Sequence, residues 1–131
     1  MELRHTTSSV LVHDGKVLFL KRPANAHSFP GKVSLVSGCV EEGETPEQTA
    51  RREIKEETGI EVSSPDAIGK EFLVREKNTV WDVHPFLFKV GSEKVVLDRE
   101  NDAYKWAVPG EIPEADMVDG VPGILSELLR D

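Results

Sequence analysis

Gly38-Cys39-Val40-Glu41-Glu42-Gly43-Glu44-Thr45-Pro46-Glu47-Gln48-Thr49-Ala50-Arg51-Arg52-Glu53-Ile54-Lys55-Glu56-Glu57-Thr58-Gly59-Ile60 is the segment from which the rest of the chain is read. Its second half carries a complete set of helix signals. Thr45 is a capping residue, Pro46 suits the first helical position, Gln48 stands where a capping box wants Glu or Gln, and Gly59 is the stop. The spacing predicts a helix from Pro46 to Thr58. On a wheel with Glu53 at zero, Glu57 falls at about +40° and Glu56 at about −60°. Three carboxylates therefore share one arc, while Arg51 and Lys55 point almost opposite and Ala50 and Ile54 form a narrow apolar stripe. Like charges at these spacings cost roughly 0.2–0.5 kcal/mol per pair, and the macrodipole disfavours acids near a helix C-terminus. A solvated acidic face is the plain alternative, but there the bases would alternate with the acids. A locally unfavourable cluster in a well-capped helix marks a functional site, and the missing partner is a cation. All candidate ligands are oxygens, which selects a hard ion, Mg²⁺ or Mn²⁺ as its substitute.

Outward from this segment, Val10-Leu11-Val12 and Val17-Leu18-Phe19-Leu20 flank Asp14-Gly15 and read as a hairpin. Residues 23–31, rich in Pro, Gly, Asn and Ser, read as a loop, and Lys32 to Val36 as a short strand. Further strands are expected at Gly69 to Arg75, Val80 to Val90, Val95 to Leu97 and Tyr104 to Val108. In the second of these Trp81, Val83 and Leu87 face one way, and His84, Phe86 and Phe88 the other. Apolar groups on both faces imply a sheet covered on both sides. A last helix, Pro122 to Leu129, presents Ile124, Leu125, Leu128 and Leu129 at helical spacing. Strands and helices mix without strict alternation, so the fold class is α+β with a mixed sheet.

At 131 residues the length suits one domain, residues 1–131, with a self-sufficient core. A net charge of −8 argues against binding a nucleic-acid polymer, which needs a cationic footprint. The lone Cys39 excludes a disulfide framework. The start, Met1-Glu2-Leu3-Arg4-His5, lacks signal-peptide character, and no apolar run nears the ~20 residues that span a bilayer. These features lead to the expectation of a soluble, cytoplasmic chain without a membrane partner.

The segment 38–60 resembles the Nudix box, G-x5-E-x7-R-E-U-x-E-E-x-G-U with U aliphatic. Gly38, Glu44, Arg52, Glu53, Ile54, Glu56, Glu57, Gly59 and Ile60 fill every required position, a match with a chance of about 10⁻⁷ over the chain. Ser37-Gly38 replaces the usual Gly-Gly, and Val33 the usual aromatic after Pro-Gly-Lys. The resemblance implies a Nudix-type α/β/α sandwich with a central mixed β-sheet between helices. It also implies Mg²⁺-dependent hydrolysis of the diphosphate in a nucleoside diphosphate linked to another moiety, with a small nucleotide as partner and a monomer or homodimer as assembly. Carried over by position, Glu56 and Glu57 are metal ligands, Glu53 is a further ligand or the base, Arg52 holds Glu53, and Glu44 braces the loop. The Gly38 carbonyl, or that of the adjacent Ser37, is another ligand. Family members recruit one more acid beyond the box, for which Glu100 is the choice, with Asp98 and Asp102 as weaker alternatives.

Candidate substrate contacts are Arg22 and Arg75 for phosphate, His27 and Phe29 in the long loop, and Trp81 and Phe86 for stacking on a base. His84 reads as a hydrogen-bonded buried histidine. A catalytically silent nucleotide-binding or sensor module with the same fold is the competing reading. It is disfavoured because a retired site has no need to keep repelling carboxylates.

Overall fold

The computed structural model describes residues 1–99 and 101–129. In chain order the elements are β1 (Glu2–His13), β2 (Lys16–Lys21), β3 (Val33–Ser34), β4 (Val36–Cys39), α1 (Pro46–Thr58), β5 (Ala67–Ile68), β6 (Phe72–Glu76), β7 (Thr79–Lys89), β8 (Ala103–Ala107) and α2 (Val121–Leu128). The strands form one mixed sheet in the order β3-β2-β1-β7-β5, with β4 on β1, β6 on β7 and β8 on β2. Its spine is the long parallel pairing of β1 with β7, from Glu2 against Thr79 to Val12 against Lys89. The β1–β2 hairpin turns through Asp14 and Gly15, both at positive φ, as its Asp-Gly turn requires.

Strand alternation divides the core between two faces. Val10, Val17, Phe19, Val83 and Leu87 pack with Val121, Ile124 and Leu125 of α2. Leu11, Leu18, Leu20, Phe86 and Phe88 pack with Ala50 and Ile54 of α1. Each helix thus covers one side of the sheet by its apolar stripe, and the α/β/α sandwich expected from the sequence is observed. Among the described residues no helix is long and apolar enough to cross a membrane.

The strand expected over Lys32 to Val36 is split into β3, which pairs with β2, and β4, which pairs with β1 and runs on to Cys39. Strand β1 begins at Glu2 rather than Val10. Two further elements differ from expectation. The strand expected over Gly69 to Arg75 begins only at Phe72, as β6, and a separate short strand, β5, precedes it, because Ile68 pairs with Phe86 and Phe72 with Val83. Residues 69–71 therefore oppose only His84 and Pro85, a bulge. Pro85 brings no N–H to the ladder, and Gly69 N–H bonds the Pro85 carbonyl at 2.9 Å. The second difference is Val95 to Leu97, which forms no strand. Val95 and Leu97 instead pack on the α1-side core while Val96 faces outward, and Val96 N–H bonds the Thr58 carbonyl. The alternating pattern there records a cover over the end of α1 rather than a ladder.

Candidate active site

The helix at the centre of the site begins and ends where its local chemistry dictates. Thr45 Oγ1 accepts from Gln48 N–H, the Gln48 side chain accepts from Thr45 N–H, and Gly59 closes the helix at φ 78°. Burial of Ala50 and Ile54 against the sheet fixes its rotation. That rotation turns Glu53 and Glu57 inward, at 9% and 3% exposure, and leaves the Glu56 side chain 55% exposed.

Ahead of the helix, β4 pairs antiparallel with β1 so that Gly38 stands opposite Thr7. Thr6 Oγ1 donates to the Gly38 carbonyl at 2.9 Å. A Cβ on Gly38 would fall on Oε2, Cδ and Cγ of Glu53, so only glycine lets the glutamate lie against this strand.

Arg52 joins the parts. Its Nε and Nη2 donate to the two oxygens of Glu44 at 2.7 and 3.0 Å, a fork-to-fork pair. Nη2 also donates to the Cys39 carbonyl at 3.3 Å, and Nη1 to Glu56 Oε2 at 3.3 Å. The same Nη1 stands 3.5 Å from Glu53 Oε2. Arg52 is therefore anchored chiefly on Glu44 and reaches both Glu53 and Glu56 from there. Glu44 accepts further bonds from Thr49 Oγ1 at 2.7 Å and Glu41 N–H at 3.1 Å. Arg52 above all, then Thr49, hold its pKa down at about 2. The Arg52 pKa is raised, chiefly by its bond to Glu44. On the far side, Asn101 Nδ2 donates to Glu57 Oε1 at 3.3 Å.

This cluster opens into a cleft of about 840 Å³ that runs over the sheet towards α2. Gly38, Ser37, Glu53, Glu57 and Asn101 line one end, and Arg4, Arg22, His27, Phe29, Trp81 and Asp119 line the remainder. Arg22 Nε donates to the Ser28 carbonyl at 2.7 Å and Phe29 N–H to Glu76 at 2.8 Å, so the long loop is pinned beside the cleft. Arg4 lies over the Trp81 ring at 5.4 Å, and Trp81 Nε1 is buried without a hydrogen-bond partner among the described residues.

Not every candidate reaches this place. Phe86, at 4% exposure, is packed in the core beneath α1; the alternation of β7 sets it on the opposite face from Trp81. Arg75 is exposed and does not line the cleft, because alternation along β6 turns Phe72 and Val74 towards it instead. Glu100 lies outside the described residues. Arg4, Thr49 and Asn101 also belong to the site, although the Nudix pattern does not mark them. For Asn101, its place two residues before β8 is the only sequence signal, and its contact with Glu57 joins positions 44 residues apart.

The donor set fits a hard divalent cation on its chemistry. It offers carboxylate oxygens on Glu53, Glu56 and Glu57 and a carbonyl at Gly38, with two of the carboxylates held largely out of water. Buried anions need compensating positive charge, and Arg52 is already shared among four glutamates, Glu41, Glu44, Glu53 and Glu56.

The sandwich and this helix define a class: a Nudix-fold protein whose box is intact. The family model described as the NUDIX domain matches residues 3–128, and the chain belongs to that family. An uncharacterized Nudix hydrolase of Yersinia pestis is 34% identical over 115 residues, covering 84% of this chain and 62% of that protein. This chain thus spans less than two thirds of that relative's length. The nucleoside triphosphatase NudI of Escherichia coli is 27% identical over 127 residues, covering 89% of this chain and 90% of NudI. In fold, the chain is similar to a MutT NUDIX hydrolase from Burkholderia pseudomallei, at TM-score 0.86 and 20% identity, covering 98% and 99% of the two chains.

Proposed function

We propose that the chain hydrolyses the diphosphate linkage of a nucleoside diphosphate joined to another moiety, with Mg²⁺ as cofactor and Mn²⁺ as substitute. The observation that carries this reading is the pair of buried carboxylates, Glu53 and Glu57, seated one turn apart on α1 at the end of a nucleotide-sized cleft. The likeness to a nucleoside triphosphatase over 90% of its length supports nucleoside triphosphates as the first substrates to test.

In this reading Glu53, Glu56 and Glu57, with the Gly38 or Ser37 carbonyl, hold the cation. When bound, it supplies Lewis-acid polarisation of the phosphates, a template for them and a more acidic water. Glu53 either completes the ligand set or accepts the proton of the attacking water. Arg52 fixes the directions of Glu53 and Glu56, and Glu44 fixes Arg52 while balancing its charge. Arg22 meets phosphate oxygens, and Trp81, His27 and Phe29 meet the base or sugar. Little covalent chemistry is left to the protein, whose work is placement and charge.

The test is release of phosphate, pyrophosphate or nucleoside monophosphate from a panel of nucleoside triphosphates, nucleotide sugars, ADP-ribose, dinucleoside polyphosphates and NADH. Turnover with Mg²⁺, abolished by EDTA and lowered at least about a hundredfold in Glu53→Gln, is expected. Tight calorimetric binding of a nucleotide with no turnover across the panel would overturn hydrolysis in favour of a sensor module.

A further inference from the structure

We propose that His5, Asp82 and His84 form a second metal site, separate from the carboxylates of α1 and selective for Zn²⁺ over Mg²⁺. The parallel register sets His5 against Asp82 and Thr7 against His84, so all three side chains emerge on the α1 face of the sheet. His5 Nδ1 lies 3.1 Å from His84 Nε2 and 3.4 Å from Asp82 Oδ2, and His84 Nε2 lies 3.9 Å from the same oxygen. A triangle with these sides has a circumscribed radius of about 2.0 Å, the length of a zinc bond to imidazole nitrogen or carboxylate oxygen. One point is thus at bonding distance from all three donors.

A fourth group completes the pattern. His84 Nδ1 stands 3.6 Å from Glu71 Oε2, and Glu71 is carried there by the bulge opposite Pro85. A carboxylate facing the far nitrogen stands where ligating histidines have their outer partner, the arrangement in which Nδ1 carries the proton and Nε2 meets the metal. Two imidazoles favour Zn²⁺, Cu²⁺ or Ni²⁺ over Mg²⁺, while the all-oxygen set on α1 favours the hard ion. The other histidine cluster, His13 with Asp14 and Glu93, offers a single ring, and its Asp14 side chain is 81% exposed.

The ion would tie the start of β1 to β7 and the bulge before β6. The His5 carbonyl accepts from Val40 N–H at 3.0 Å, so the clamp adjoins the loop that leads to α1.

The full chain, freed of metal by chelation and then held in excess Mg²⁺ so that the α1 carboxylates are occupied, is titrated with Co²⁺ as a visible-absorbing stand-in for Zn²⁺, and with Zn²⁺ itself by equilibrium dialysis and thermal melting. The expected result is d–d absorption of low-coordinate Co²⁺, displaced by one equivalent of Zn²⁺ and retained in excess Mg²⁺, with Zn²⁺ raising Tm. His5→Gln and His84→Gln each weaken Zn²⁺ binding at least about tenfold, and Glu57→Gln leaves it unchanged. Because the His5 side chain is 51% exposed, that variant keeps the test valid if His84→Gln fails to fold. Zn²⁺ affinity unchanged in the histidine variants, or lost in Glu57→Gln, would overturn the site, as would absence of Zn²⁺ binding. Hydrolysis by the α1 cluster is not read in this experiment and stands or falls separately.

Discussion

Gly38 and Glu53 occupy one another's space: the carboxylate of Glu53 lies where any side chain on residue 38 would begin. Gly38 is not among the positive-φ glycines, so its backbone is open to any L-residue. Glycine is required there for room, and the room is taken by a group with a proposed part in the chemistry.

Gly38→Ala therefore separates folding from function. The atoms that a methyl group meets belong to a side chain that can rotate away, so the fold absorbs the change. Glu53 leaves its place, and kcat falls about a hundredfold, the scale of a misplacement near 1 Å. Tm moves by only a few degrees, roughly the cost of modest repacking. Steady-state kinetics and a melt on the same preparation check both halves, and wild-type turnover would deny Glu53 a role at this position.

Glu44→Gln tests the pair with Arg52 through pH. The folded pKa of Glu44 is about 2, below its ordinary 4.5. A depressed carboxylate stabilises the fold fully above its unfolded pKa and loses that contribution as pH falls through the folded one. The Tm gap between wild type and Glu44→Gln should be largest and flat above about pH 5 and should close towards about pH 2. A gap independent of pH would mean that the amide loses shape rather than charge.

Thr45→Ala removes the side-chain oxygen that caps α1, at a cost of about 1 kcal/mol. For a chain of this size that lowers Tm by roughly 3–5 °C. Turnover stays near wild type, because Ile54 and the Arg52–Glu44 pair still hold the helix in place. Thermal melts at neutral pH measure the first effect and initial rates the second.

What could be read in the sequence was local. The ends of α1 follow from residues within one turn of each end, and the inward turn of Glu53 and Glu57 follows from their angle to Ala50 and Ile54. The strand break between β5 and β6 was not legible, because its cause is Pro85 in another strand. The same holds for Val95 to Leu97, whose alternation suits either a ladder or a cover. Within the site, the carboxylates were legible from spacing, whereas the anchoring of Arg52 on Glu44 and the contact of Asn101 with Glu57 exist only once the chain is folded. Alternation in β7 already placed Trp81 and Phe86 on opposite faces, so one cleft could not take both rings.

That opposition yields a paired prediction. Phe86 is core, with its ring 6.3 Å from that of Phe88, and Phe86→Ala should cost about 3–5 kcal/mol while KM of the folded fraction stays at wild type. Trp81 lines the cleft and has its Nε1 buried without a hydrogen-bond partner among the described residues. Trp81→Phe removes a donor that the free protein does not satisfy, so Tm should hold or rise. If the nucleotide uses that indole, KM rises about tenfold with kcat unchanged, the signature of binding lost equally from ground and transition states. Melts and full Michaelis curves for the two variants read out both quantities. An unaltered KM in Trp81→Phe would move the nucleotide's contact away from the indole N–H, towards the loop that carries His27 and Phe29.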